Sequence, residues 1–167
     1  MLLTSNSYNI YRMKEKPERI IPRESTETLF HFRSIDEDTY DVFKLIALST
    51  ELPVQRLPLD SSEIQLELDT ETWDDGKGNK ITPRDVINIL KQHTDYNKAL
   101  EIYPELAEHI RKIRDADYSY PVLLFNGSIL DGLHRIAKAC IEKQDFINAK
   151  IFQTIPNEAL MGDSKKL

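Results

Sequence analysis

An α+β fold, a small mixed β-sheet with helices packed against it, is what this 167-residue sequence predicts, and three stretches carry the expectation. The dipeptide Asn126-Gly127 separates two apolar runs, and Asn-Gly in that setting is the strongest short hairpin signal, because both central residues of a type I′ turn take positive φ. Leu133, Ile136, Ala137, Cys140 and Ile141 then recur at i, i+3, i+4, i+7 and i+8, one apolar helical stripe. Upstream, Thr82-Pro83 opens another helix, with a threonine N-cap and proline at the first helical position. The length suits a single domain with its own core.

In chain order, residues 1–33 read as an N-terminal arm, polar and irregular with Pro17 and Pro22, and with a short strand around Thr28 to Phe32. The domain runs from 34 to 160. Ser34 and Glu37 match a capping box, and Tyr40, Phe43, Ile46 and Ala47 follow at helical spacing, which predicts a helix to about Ser49 that packs on the sheet. Pro53 to Leu59 reads as a strand, confined by Pro58 to an edge or a strand end. Ile64, Leu66 and Leu68 alternate with polar neighbours, which fits a half-buried strand. Trp73 precedes the turn-rich stretch Asp74 to Asn79; the register of acids in a calcium loop is missing, so this is a solvated loop. The Thr82 helix runs to about His93. Pro104 starts another, with Leu106, Ile110 and Ile113 on one face and His109 at that stripe's edge. The hairpin and the Leu133 helix follow, then a last strand from Ala149 to Ile155 and a frayed tail over 161–167.

Composition narrows the function classes. A formal charge of -6 argues against a surface built for duplex DNA, whose non-specific affinity comes from Lys and Arg neutralising phosphates. The single cysteine, Cys140, lies on the apolar stripe and reads as a buried thiol. The four histidines show no His-x-x-His spacing, so His31, His93 and His109 read as packing residues rather than zinc ligands. No stretch approaches a membrane span and the N-terminus lacks the pattern of a signal peptide, so a cytoplasmic location is expected.

The chemistry concentrates at Asp131-Gly132-Leu133-His134-Arg135, where the second strand of the hairpin meets a helix. The first turn of a helix carries unpaired N–H groups and a partial positive charge, which makes it an anion site. Gly132 allows a phosphate to approach the backbone, Arg135 offers a planar fork for two oxygens, and His134 adds a further donor. On a helical wheel His134 and Arg135 lie roughly 100° and 200° from Leu133, away from the apolar stripe and toward the rim. Asp131 is the natural N-cap, a role that alone accounts for it, and Arg135 paired to Asp131 or Asp117 is the alternative to a phosphate contact.

This pattern of strand, turn, strand and Asp-Gly-Leu-His-Arg helix start resembles the ParB/sulfiredoxin superfamily, which places a Gly-x-x-Arg-type motif at the same junction. The similarity spans about residues 117 to 155, extends more loosely over 42 to 116 and leaves out the N-terminal forty. Members include ParB proteins that bind CTP, sulfiredoxins that use ATP and free serine kinases with an Asp-Gly-His-His-Arg motif. The resemblance implies a nucleotide-binding protein with ATP or CTP held by Gly132, His134 and Arg135, and Mg²⁺ on Asp131. It extends to an ATP-dependent small-molecule kinase or NTPase with Asp131 and His134 catalytic, aided by Asp117 or Glu108 as further acids. Leu133 stands where the kinase motif has its second histidine, which weighs against kinase chemistry, and the absence of a cysteine before His134 weighs against sulfiredoxin activity. Two other classes stay open: a ParB-like DNA-binding or nuclease-type factor, which no helix-turn-helix after the motif supports, and a non-catalytic interaction module that keeps the fold.

Overall fold

Four strands form the central sheet of the computed structural model, which describes residues 32–35 and 38–163. They are β3 (Gln55–Pro58), β6 (Val122–Phe125), β7 (Ser128–Asp131) and β8 (Phe146–Phe152), in the order β3-β8-β6-β7. β6 and β8 run parallel, Val122 opposite Ala149 through Phe125 opposite Phe152, while β3–β8 and β6–β7 are antiparallel. A parallel neighbour cannot be reached by a tight turn, so the chain returns from β7 to β8 through helix α6 (Leu133–Ile141). Asn126 and Gly127 take φ of 47° and 79°, the type I′ signature that the sequence predicts.

The pleat divides the sheet's two faces. Val122, Leu124 and Ile129 join the larger core, shared with α2 (Ser62–Leu68), α3 (Pro83–Gln92), α5 (Ala107–Asp115) and α6 through Ile64, Val86, Ile110 and Ile136. Leu123, Leu130 and Phe152 face the other way, against Leu45 of α1 (Val42–Leu48) and Ala159. Helices on one face and a lighter cover on the other make a small mixed α+β domain. Two further sheets flank it: the ribbon β4 (Trp73–Asp74) with β5 (Lys80–Ile81), and β1 (Phe32–Ile35), β2 (Asp38–Asp41) and β9 (Leu160–Asp163) in the order β1-β2-β9.

Several expectations hold. β3 is an edge strand that ends at Pro58, and α3 begins with a full capping box between Thr82 and Asp85. The Pro104 signal opens a 3₁₀ turn that runs into α5, with Ile110 and Ile113 buried. His93 packs against Tyr103, ring centroids 5.7 Å apart. Cys140, expected as a buried thiol, is only half-buried on α6, and burial pushes its thiol up.

Other expectations are corrected. Residues 34–35 and 38–41 are strand rather than helix: β1 and β2 pair antiparallel, and α1 starts only at Val42, because the Asp41 carboxylate accepts from the N–H groups of Phe43 and Lys44 and so sets the cap. Residues 62–68 are helix α2 rather than strand. Ile64 and Leu68 meet the core one turn apart, whereas Leu66, which strand alternation places beside them, is 70% exposed. The last strand begins at Phe146, and residues 161–163 belong to β9, paired with β2, rather than to a tail. Helix α4 (Tyr96–Ile102), capped by Asp95, is an addition to the predicted elements. The expected strand around Thr28 and the packing role of His31 lie outside the described residues.

Candidate functional site at the β7–α6 junction

Gly132 is the N-cap of α6, and its backbone explains why the position is glycine. Its φ is +107°, and a Cβ there would sit 2.6 Å from Val122 Cγ1 and 3.0 Å from Arg135 Nη2. The missing side chain therefore lets β6 and the Arg135 guanidinium close on the backbone. That is a packing role, on the inward side of the junction.

Asp131 is not the N-cap. It ends β7, and its carboxylate takes a hydrogen bond from Arg135 Nη2 in an ion pair whose side chains are only 9% and 15% exposed. Arg135 also donates from Nη1 to the carbonyl of Pro121 at 2.8 Å. The expectation that Arg135 points to the rim is thus overturned: the side chain is buried. A helical wheel reports which side of the axis a residue takes, but the first turn of α6 abuts the end of the sheet, and the 120–121 segment leading into β6 covers it. Arg135 fastens that segment to the junction.

His134 turns away from this pair toward α5 and β4. Its ring stacks on Trp73 at 4.6 Å between centroids, and His109 stacks on Trp73 at 4.3 Å, each within 12° of parallel. The two imidazoles are 5.4 Å apart, too close to lie on opposite indole faces, so both lie on one. They meet edge to edge, with His109 Nδ1 3.1 Å from His134 Nε2, and His109 Nε2 lies 3.0 Å from the Asp74 carbonyl oxygen. Burial lowers the pKa of His109 below the ordinary imidazole value, opposed by the Asp74 carbonyl and the Glu108 charge. His109 is the packing residue that the sequence predicts, stacked on Trp73, and it also contacts the motif. Trp73, His109 and His134 are far apart in the chain, and no spacing rule joins them.

Side-chain caps close other helices: Asp41 on α1, Thr82 on α3 and Asp95 on α4. On α6 the N-cap is Gly132, which has no side chain to cap the first turn. Its amides therefore lie beside His134 without a competing side-chain oxygen from the N-cap.

The additional acids are not gathered here. Glu108 pairs with Lys112, and Asp117 accepts from the Ser119 N–H and hydroxyl. Among the described residues no group of three or more His, Cys, Asp or Glu side chains is arranged to hold a metal ion. With its carboxylate already neutralised by Arg135, Asp131 does not fit the role of a magnesium ligand. A separate open depression of about 630 Å³ lies along the start of β8, lined by Arg56, Tyr118, Ser119, Phe146 and Asn148 among others, and includes none of the motif. No helix among the described residues is long and apolar enough to cross a membrane. Compared with family models, curated proteins and solved structures, the chain matches none.

Proposed function

We propose that this chain binds the phosphate groups of a nucleotide, ATP or CTP, at the N-terminal end of α6. The observation that carries the reading is the first turn of α6, opened by a glycine N-cap, with His134 on it. Amides at a helix start favour anions through their N–H groups and through the helix dipole, and an imidazole on the same turn adds a hydrogen-bonding group. The strand–turn–strand–helix order of β6, β7 and α6, on which the resemblance to the ParB/sulfiredoxin superfamily rests, supports the same reading.

The roles within the motif differ from those that the resemblance implies. His134 and the first-turn amides meet the phosphates. Asp131, Gly132 and Arg135 build the junction instead: the buried ion pair and the left-handed glycine hold β7, α6 and the 120–121 segment in one geometry. No step through Mg²⁺ is assigned to Asp131. In an ATP-dependent phosphotransferase built on this site, positioning and charge stabilisation by the amides supply the effect, with His134 as the titratable group.

A thermal-shift panel of ATP, ADP, CTP and GTP on wild type and His134→Ala tests the reading. A ligand at about 100 times its dissociation constant stabilises the fold by roughly 2.7 kcal/mol. A shift in the wild type that His134→Ala reduces is expected. No shift with any of the four, or one that His134→Ala leaves intact, refutes the assignment.

A further inference from the structure

One face of the central sheet is left open at its β3–β8 end. Arg56 pairs across the strands with Asn148, and Pro58 with Phe146; cross-strand partners share a face, so Arg56, Phe146 and Asn148 stand on the same side. Lys150 and Phe152 continue that face. Phe152 joins the core of Leu45 from α1, and the Lys150 ammonium donates to the carbonyls of Ser49 and Thr50 just after α1. Toward the start of β8 the face opens: Phe146 is 42% exposed, and the depression of about 630 Å³ lies there.

The walls of this depression are held in place. The Tyr118 hydroxyl donates to the Glu142 carboxylate at 2.7 Å, Asn148 Nδ2 to the Ser119 carbonyl at 3.4 Å, and the Leu59 N–H to the Asp145 carbonyl at 3.0 Å. The Arg56 guanidinium lies over the Phe146 ring, 4.3 Å from its centroid, and among the described residues it makes no ion pair. A ring engages a guanidinium through its face, whereas a carboxylate is bound through its N–H edge, so the two contacts are compatible. The volume is that of a small-molecule site.

We propose that this depression is a second ligand site, separate from the β7–α6 junction, and that it takes a small monocarboxylate carrying an aromatic ring. The carboxylate pairs with Arg56, and the ring lies against Phe146 and Tyr118. Among the described residues that line the depression Arg56 alone is cationic, and Asp145 is acidic. One negative charge is therefore matched, while a polyphosphate would bring further charges toward the Asp145 carboxylate with no cation to meet them. The site does not rest on the phosphate-binding reading.

The test is titration of the ¹⁵N-labelled full chain with phenylacetate, benzoate and indole-3-acetate, beside acetate, which lacks the ring, and phenethylamine, which lacks the carboxylate. At least one of the three ring carboxylates should give saturable shifts centred on the amides of Phe146 to Asn148 and on the Arg56 Nε–H. Acetate and phenethylamine should bind at least about tenfold more weakly, since each loses one of the two contacts. Arg56 and Phe146 are exposed, so Arg56→Gln and Phe146→Ser keep the fold, which unchanged shifts at distant amides verify. Arg56→Gln should weaken binding by about tenfold or more, the loss of one charge-assisted hydrogen bond, and Phe146→Ser should weaken it as well. No response to any of the three ring carboxylates, shifts centred elsewhere, equal binding of acetate or phenethylamine, or affinity unchanged in Arg56→Gln overturns the proposal.

Discussion

Replacing Arg135 with alanine should damage the fold. The guanidinium is 9% exposed, pairs with a carboxylate that is 15% exposed and donates to the Pro121 carbonyl. Truncation leaves Asp131 ionised, largely desolvated and without its partner, and strips a hydrogen bond from the segment that leads into β6. Breaking a buried pair from one side costs about 3–5 kcal/mol, mostly the cost of the abandoned charge. In a chain of this size each kcal/mol moves the melting temperature by about 2–4 °C, so a fall of roughly 6–20 °C is expected. Urea unfolding monitored by circular dichroism measures the same loss as a shift in midpoint. The double variant Asp131→Asn with Arg135→Met removes both charges and should recover most of the stability. An Arg135→Ala protein within about 1 kcal/mol of wild type would refute the reasoning, since that is the range of an exposed pair. So would a double variant no better than the single one.

Three other outcomes follow from the same geometry. Gly132→Ala forces a Cβ to 2.6 Å from Val122 Cγ1 at a φ of +107°, so thermal unfolding should show a loss of at least about 1–3 kcal/mol, partly relieved by adding Val122→Ala. Burial lowers the folded-state pKa of His109, so the unfolded chain takes up its proton first: this contribution to stability is complete above about pH 6.5 and is lost as pH falls through the lower folded pKa. Melting temperature against pH should therefore fall less steeply below 6.5 in His109→Gln than in wild type. Trp73 is the single tryptophan, is 7% exposed and supports both histidines; Trp73→Ala should cost about 3–5 kcal/mol in chemical denaturation.

The hairpin, α3, α5 and α6 were legible because local chemistry alone determines them: an Asn-Gly turn, a Thr-Pro start and apolar stripes at helical spacing. Residues 62–68 were not, because Ile64 and Leu68 are both four apart and in alternation, so helix and strand templates fit the same letters. Tertiary context decides: the Glu67 side chain is drawn in against β7, where it accepts from the Ile129 N–H at 3.3 Å, and Leu66 is turned out to solvent. The β1–β2 pair was not legible because β2 is stabilised by β9 from the far end of the chain, while Ser34 and Glu37 match a helix cap in sequence. At the candidate site the motif itself stood out, but its division of labour did not. A wheel drawn from Leu133 cannot show that the 120–121 segment covers Arg135, and nothing in the spacing brings Trp73 and His109 to His134.

Amide chemical shifts during titration of the ¹⁵N-labelled chain with ATP and with CTP test the central claim most directly. The account predicts saturable shifts centred on the amides of Gly132 to Arg135, with the Trp73 indole N–H following through His134. Shifts centred on Arg56, Phe146 and Asn148 at the separate depression, or none at either nucleotide, would contradict it.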